Sequence, residues 1–256
     1  MSQSTESESL SLTEAIRRRQ DRTRNLILVI LGLVAFGVVI LLASLASGPR
    51  SAYDGIPQAM NAADGAPLLG RWDNPPVTLV VFLDFADIGS ARLHKTLLQL
   101  VDTYIRPGKV LLVEYLVWTT TLYSADSLRA AEACYCAGEQ GAFWPMHDAL
   151  FNLWERQFEA YGRVQAAPPV FSDAEIMLAA QQIQINPQEI FACRSEGRRR
   201  AALDNSLNTA ESLGVATIPA VYLNGEALTD DAGRPLAEPS LEQLQAAIDA
   251  RLAAQP

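Results

Sequence analysis

Three cysteines, Cys134, Cys136 and Cys193, are the residues of this sequence best suited to covalent chemistry. A thiolate is a nucleophile, and two thiols make a redox pair. Cys134 and Cys136 are next but one to each other. On a helix such residues point in different directions, so Cys134-Tyr135-Cys136 reads poorly as a redox pair. Asp87, Ser90 and His94 are the inventory of a hydrolytic triad, but they crowd onto the start of one helix. A triad needs its base between nucleophile and carboxylate, so helix-face polarity is the better reading. His147 lies in Trp144-Pro145-Met146-His147-Asp148. Two histidines and scattered acids show no recognised ligand spacing, so neither a metal nor a cofactor is expected. Arg194, Arg198, Arg199 and Arg200 form a short basic run with Glu196 inside it. It reads as a solvated helix face, and no nucleic-acid partner is expected. The chain carries no Gly-rich phosphate loop and no metalloprotease or lipase motif.

The elements that position these residues follow from hydrophobic periodicity. Val77 to Phe85 and Val110 to Trp118 are near-continuous apolar runs, the pattern of strands buried on both faces. Between them, Ser90 to Ile105 has helical spacing, and Pro107-Gly108 ends it. Strand, helix, strand predicts a right-handed crossover and parallel pairing. Helices are predicted over Leu128 to Glu139, Ala142 to Phe158, Asp173 to Gln182 and Pro187 to Leu213. A short hairpin follows, Ala220 to Leu223 and Ala227 to Thr229 across Asn224-Gly225. Leu241 to Leu252 closes the domain. This order predicts an α/β core with helices on both faces and a helical insertion over about 120–213.

The first fifty residues point to a membrane. Residues 1–25 form an Arg-rich tail, with Arg17, Arg18, Arg19, Arg22 and Arg24. Residues 26–46 form an uncharged apolar run long enough for one transmembrane helix. The arginines place the N-terminus in the cytoplasm and residues 47 onward outside, at a plasma membrane. Signal-peptide cleavage near Ala46 is the alternative, and it puts the domain in the same compartment. Residues 47–76, rich in Gly, Pro, Asn and Asp, read as a linker, leaving 77–256 as the folded domain. The chain has 20 basic and 29 acidic residues; 15 and 25 of these lie beyond the tail. That acidity repels nucleic acid in bulk and identifies no substrate.

Four stretches together resemble one family: VVFLDFADIGSARLHKTL from Val80, AAEACYCAGEQGAFWPMHDALF from Ala130, Pro187 to Cys193, and GVATIPAVYLNGE from Gly214. The domain resembles the DsbA-like disulfide oxidoreductases, a thioredoxin fold with an inserted helical domain. The resemblance implies a Cys-x-x-Cys dithiol at the helix start, and this sequence carries Asp87-Ile88-Gly89-Ser90 there. A carboxylate and a hydroxyl cannot perform dithiol exchange. The resemblance also implies a cis-proline loop at Thr217-Ile218-Pro219, which either preserves the fold or pairs with an extended peptide. It implies a structural disulfide between Cys136 and Cys193, closing a loop of about 57 residues, and a packing role for the stretch around His147. Cys134 is left as an apolar filler, a swapped partner for Cys193, or an intermolecular thiol. The resulting expectation is a membrane-anchored, redox-inactive thioredoxin-like domain that binds a protein or scaffolds an envelope complex. The alternative is an oxidoreductase or isomerase that uses the remaining cysteines.

Overall fold

The computed structural model describes residues 28, 30–39, 51–118, 124–161 and 170–254. The chain divides into two units, Met1–Arg50 and Ser51–Pro256. In the first, residues 30–39 are helical and their side chains are exposed. Among the described residues no helix is long and apolar enough to cross a membrane. The transmembrane helix expected over 26–46, and with it the single-pass topology and the membrane partner, are corrected accordingly. The rest of that expected span, the tail over 1–25 and the cleavage site near Ala46 lie outside the described residues.

The second unit is built on a six-stranded sheet. Its strands are β1 (Gln58–Met60), β2 (Pro67–Leu69), β3 (Val77–Leu83), β4 (Val110–Leu116), β5 (Ala220–Leu223) and β6 (Glu226–Ala227). Their order is β1-β2-β4-β3-β5-β6. β3 and β4 pair in parallel, Val77 opposite Val110 and Leu83 opposite Leu116, as the strand–helix–strand order predicts. β5 runs antiparallel to β3 on its other side. The two central strands carry apolar residues on both faces, and both faces are covered. β1 and β2 arise from the segment expected to be a linker. Each is only three residues long, too short to show a period.

Among the described residues, seven helices accompany the sheet: α1 (Ile88–Leu98), α2 (Ser124–Gly138), α3 (Phe143–Tyr161), α4 (Asp173–Gln182), α5 (Pro187–Ser195), α6 (Arg200–Ser212) and α7 (Leu241–Ala253). Asp87 caps α1, Ser172 caps α4, and Asn186 precedes Pro187 at the start of α5. Each cap satisfies an amide that the first helical turn leaves free. Past α1 the chain makes a π-helical turn over Val101–Ile105. α6 lies against β4 and α7 against β3. Helices α2 to α6 form the insertion.

The single helix predicted from Pro187 to Leu213 is two helices. Gly197 has φ 64° and sits one residue past the α5 cap. The Arg198 amide donates to the Cys193 carbonyl and the Gly197 amide to the Arg194 carbonyl, both at 3.1 Å. This paired closure of a helix end is favoured by a glycine in the left-handed region.

Candidate functional site

At the helix start where the family carries its dithiol, β3 runs out through Asp84 and the chain turns into α1. Asp84 is buried. Its Oδ1 accepts from the Ala86 amide at 2.8 Å and from the Ser127 hydroxyl. The Asp84 amide donates to Ser90 Oγ at 3.1 Å, so the fully buried Ser90 ties the strand end to the helix. Asp87 Oδ2 accepts from the Ser90 amide at 2.6 Å. Burial raises the Asp87 carboxyl above its ordinary range; the hydrogen bonds from Ser90 oppose this, and the charges of Asp84 and Glu238 add to it. Gly89 permits a close approach. A side chain there would lie 2.9 Å from Glu238 Oε1 and 3.0 Å from Pro219 Cδ. The Ile218–Pro219 bond is cis. Pro219 is buried against the helix start, Ile218 is half-buried and Thr217 is exposed. Asp87, Ser90 and Pro219 are thus brought together. They form a capped, hydrogen-bonded turn without a nucleophile.

The sulfur chemistry lies elsewhere. Cys136 on α2 and Cys193 on α5 form a disulfide, with Cα atoms 5.8 Å apart. Ser127 touches Asp84 near the start of α2, and Cys136 lies about 13 Å farther along that helix. The disulfide borders a cleft lined by Glu132, Arg194, Gly197, Arg199 and Arg200, with about 10 Å³ of water-sized space. The arginines are held by acids from other elements. Arg194 pairs with Asp173 at 2.9 Å, Arg199 with Glu139 at 2.9 Å, and Arg200 with Glu132 at 3.6 Å. The basic run read as a solvated helix face is therefore the rim of the disulfide cleft. Reading along the run could not show this, because Glu132 comes from α2 and Glu139 from the turn that follows it. Cys134 points away from the cleft, and its thiol donates to the Phe143 carbonyl at 3.5 Å. Burial, then the charges of Glu114 and Asp148, raise that thiol well above its ordinary range. It is a protonated, apolar-type filler, not a nucleophile.

A third group was missed in sequence. His94 from α1 and His147 from α3 meet with ring centroids 4.8 Å apart. His147 Nε2 lies 2.7 Å from Glu114 Oε1 of β4, and His94 Nε2 lies 3.4 Å from Asp148 Oδ1. The Tyr53 hydroxyl donates to Asp148 Oδ1 at 2.6 Å. Burial, with the nearby charges of His147 and Lys95, holds His94 well below its ordinary range. Burial alone would lower His147 too, but Glu114 and Asp148 hold it up, to about 9. The available signal was Glu114, a lone charge inside the apolar run of β4. Such a buried charge requires a partner.

Comparison with known proteins places this architecture. The thioredoxin family model matches residues 65–250. No curated protein matches the chain. Among solved structures it is similar to oxidised BdbD from Bacillus subtilis, at 17% identity and TM-score 0.58, over 78% of this chain and 99% of that one. It is similar to a thioredoxin-like oxidoreductase from Silicibacter pomeroyi, at 21% identity and TM-score 0.55, over 74% and 94%. It is also similar to the thiol-disulfide exchange protein alpha-DsbA2 from Wolbachia pipientis, at 18% identity and TM-score 0.55, over 72% and 86%. At these identities the likeness shows the fold. The domain is a thioredoxin fold with a helical insertion that resembles the DsbA-like oxidoreductases but lacks their catalytic dithiol. The expectation of a redox-inactive, membrane-anchored binder does not stand: a formed disulfide lies at an arginine-rimmed cleft, and no described helix is long and apolar enough to span a bilayer. The match over residues 65–250 shows that the chain belongs to the thioredoxin family.

Proposed function

We propose that this protein is a thiol–disulfide oxidoreductase or isomerase whose exchanging sulfurs are Cys136 and Cys193. The observation that carries the reading is the position of this disulfide at the floor of a cleft rimmed by Arg194, Arg199 and Arg200. Guanidinium groups beside a sulfur favour the thiolate, the form that exchanges. Cys136 is the slightly more exposed of the two, at 2% against 0%. It is the attacking atom.

The fold favours one direction. Closing a long loop stabilises the oxidised pair, so the reduced pair gives up its electrons readily. In the reduced protein, the Cys136 thiolate attacks one sulfur of a client disulfide. The Cys136–client bond forms as the client S–S bond breaks, and the electron pair leaves on the other client sulfur. Cys193, deprotonated, then attacks Cys136 Sγ. The mixed disulfide breaks, the second client thiolate departs, and the Cys136–Cys193 bond is restored. The client gains two electrons and takes up two protons; the pair loses the same. A low-molecular-weight thiol resets the pair. The cleft is narrow, so a client sulfur reaches Cys136 when the Gly197 turn moves aside. In this reading the protein partner docks an extended segment at Thr217-Ile218-Pro219, where Pro219 lies against the helix start.

The test uses the full chain, reduced with a dithiol, desalted and mixed with insulin. About one insulin disulfide is reduced per chain, and peptide mapping finds Cys136 joined to Cys193 afterwards. The Cys134→Ala variant behaves the same, and Cys136→Ala loses the activity. Reduction no faster than without protein, or activity that survives Cys136→Ala, would overturn the proposal.

A further inference from the structure

We propose that His94, His147 and Asp148 form a binding site for one divalent transition-metal ion of the zinc class. The site is separate from the disulfide and from the Pro219 turn. One donor atom from each of the three residues lies within 4.8 Å of the others. Asp148 Oδ1 is 3.4 Å from His94 Nε2 and 3.8 Å from His147 Nδ1. Two ligands on a tetrahedral zinc ion stand about 3.4 Å apart, given metal–ligand distances near 2.1 Å. One edge of the triangle therefore already has the required length; the second closes by about 0.4 Å and the third by up to about 1.4 Å on binding. Two imidazoles and a carboxylate are the donor types zinc accepts, and three protein ligands leave a fourth position for water.

Two observations beyond the triangle point to a ligand. First, both ring nitrogens of His147 and both oxygens of Glu114 are buried with no aligned hydrogen bond. The 2.7 Å contact between His147 Nε2 and Glu114 Oε1 is close but poorly directed for one. Buried polar groups left in this way call for an explanation, and an ion is one. Second, the outer contacts are those of a metal site. With His147 Nδ1 turned to the ion, Nε2–H faces the Glu114 carboxylate, the arrangement that orients a ligating histidine. Tyr53 in turn donates to Asp148 Oδ1 and fixes that ligand.

Charge and space agree. Glu114 and Asp148 bring two negative charges to the cluster, and a divalent ion that displaces the His147 proton offsets both. Beside the triangle lies a cavity with about 10 Å³ of water-sized space, bordered by His94, His147, Glu114 and Tyr53 and otherwise mostly by leucines; it leaves room for a water on the ion and for no organic ligand. Phe85 and Phe151 pack on the imidazoles and exclude water: Phe151 stacks on His94 at 4.9 Å, and Phe85 lies 5.5 Å from His147. A soft-to-borderline ion with short bonds suits this site. Calcium, which takes six to eight oxygens, does not.

The sequence contains only two histidines, and both are proposed ligands. The untagged full chain, labelled with nitrogen-15 in histidine and stripped with a chelator, is titrated with Zn²⁺ and followed by NMR. Both imidazole spectra change together and the change is complete at one equivalent. Co²⁺ in place of Zn²⁺ gives the visible absorption of a four-coordinate ion. Asp148→Asn abolishes both signals, and Glu114→Gln weakens binding about 10–100-fold, the usual effect of losing a ligand-orienting carboxylate. Imidazole signals that do not respond to Zn²⁺ would overturn the proposal without any variant having to fold. Zn²⁺ binding that leaves those signals unchanged would overturn it equally.

Discussion

Replacing both bridging cysteines, Cys136→Ala with Cys193→Ala, releases a loop of 57 residues in the unfolded chain. The chain-entropy relation gives a loss of about 14 cal/mol/K for a loop of that length, or about 4 kcal/mol at 25 °C. Both side chains are fully packed, so removing the sulfurs adds a small cavity cost in the same direction. For a domain of this size that corresponds to a fall of about 8–16 °C in Tm. The double variant is the right comparison, because a single one leaves a thiol that can pair with Cys134. Urea unfolding of the oxidised protein and the variant, followed by circular dichroism, measures the difference. A loss below about 1 kcal/mol would refute the argument, since it would mean that the bond does not restrict the unfolded ensemble. The same linkage bears on function. About 4 kcal/mol in favour of the oxidised state lowers the reduction potential of the pair by roughly 90 mV, the direction a client-reducing pair requires.

Other outcomes can be checked with similar means. Asp87→Ala removes the hydrogen bond to the Ser90 amide and costs about 1 kcal/mol in denaturant unfolding, whereas Asp87→Ser keeps most of the cap. In the background without Cys136 and Cys193, Asp87→Cys with Ser90→Cys places a dithiol at a helix start beside Pro219, and insulin reduction rises above the no-protein rate; no gain would show that this groove no longer positions a client. In metal-free buffer His147 titrates near 9, above its ordinary 6.5, among Glu114, Asp148, His94, Tyr53 and Cys134. Its contribution to stability is therefore full below pH 6.5, declines between 6.5 and 9 and is lost above 9. A urea midpoint that stays flat across that window would contradict the assignment. His94 is shifted the other way, so its neutral form costs nothing at neutral pH and stability falls as the pH drops below 6.5.

Local pattern carried the sheet and most of the helices. VTLVVFL and VLLVEYL are too apolar for anything but strands covered on both faces, and the intervening helix forces them parallel. Ser172 caps α4 and Asn186 caps α5 through contacts between near neighbours, the kind of feature that local sequence can carry. The division of α5 from α6 was missed, although Gly197 marked it, because helical periodicity continues across the turn. β1 and β2 were missed because a three-residue strand has no period of its own; β2 is defined only by pairing with β4. The apolar run over 26–46 reads as a membrane span from hydropathy alone, yet among the described residues no helix is long and apolar enough to cross a membrane.

Hydrophobic periodicity by itself determined the α/β core with its helical insertion, because it is a property of spacing along the chain; the resemblance to the DsbA-like family marked Asp87 and Ser90 as standing at the dithiol positions. Only the tertiary structure decided where the remaining chemistry lies. The disulfide joins residues 57 apart, and its cleft is rimmed by arginines whose acidic partners come from α2, the turn after it, and α4. His94, Glu114, His147 and Asp148 come from one strand and two helices of the same unit. Their separate neighbourhoods are apolar, which made each look like an isolated polar residue. Packing those apolar faces into one core is the step that brings the four together, because a buried charge can be accommodated only where another meets it.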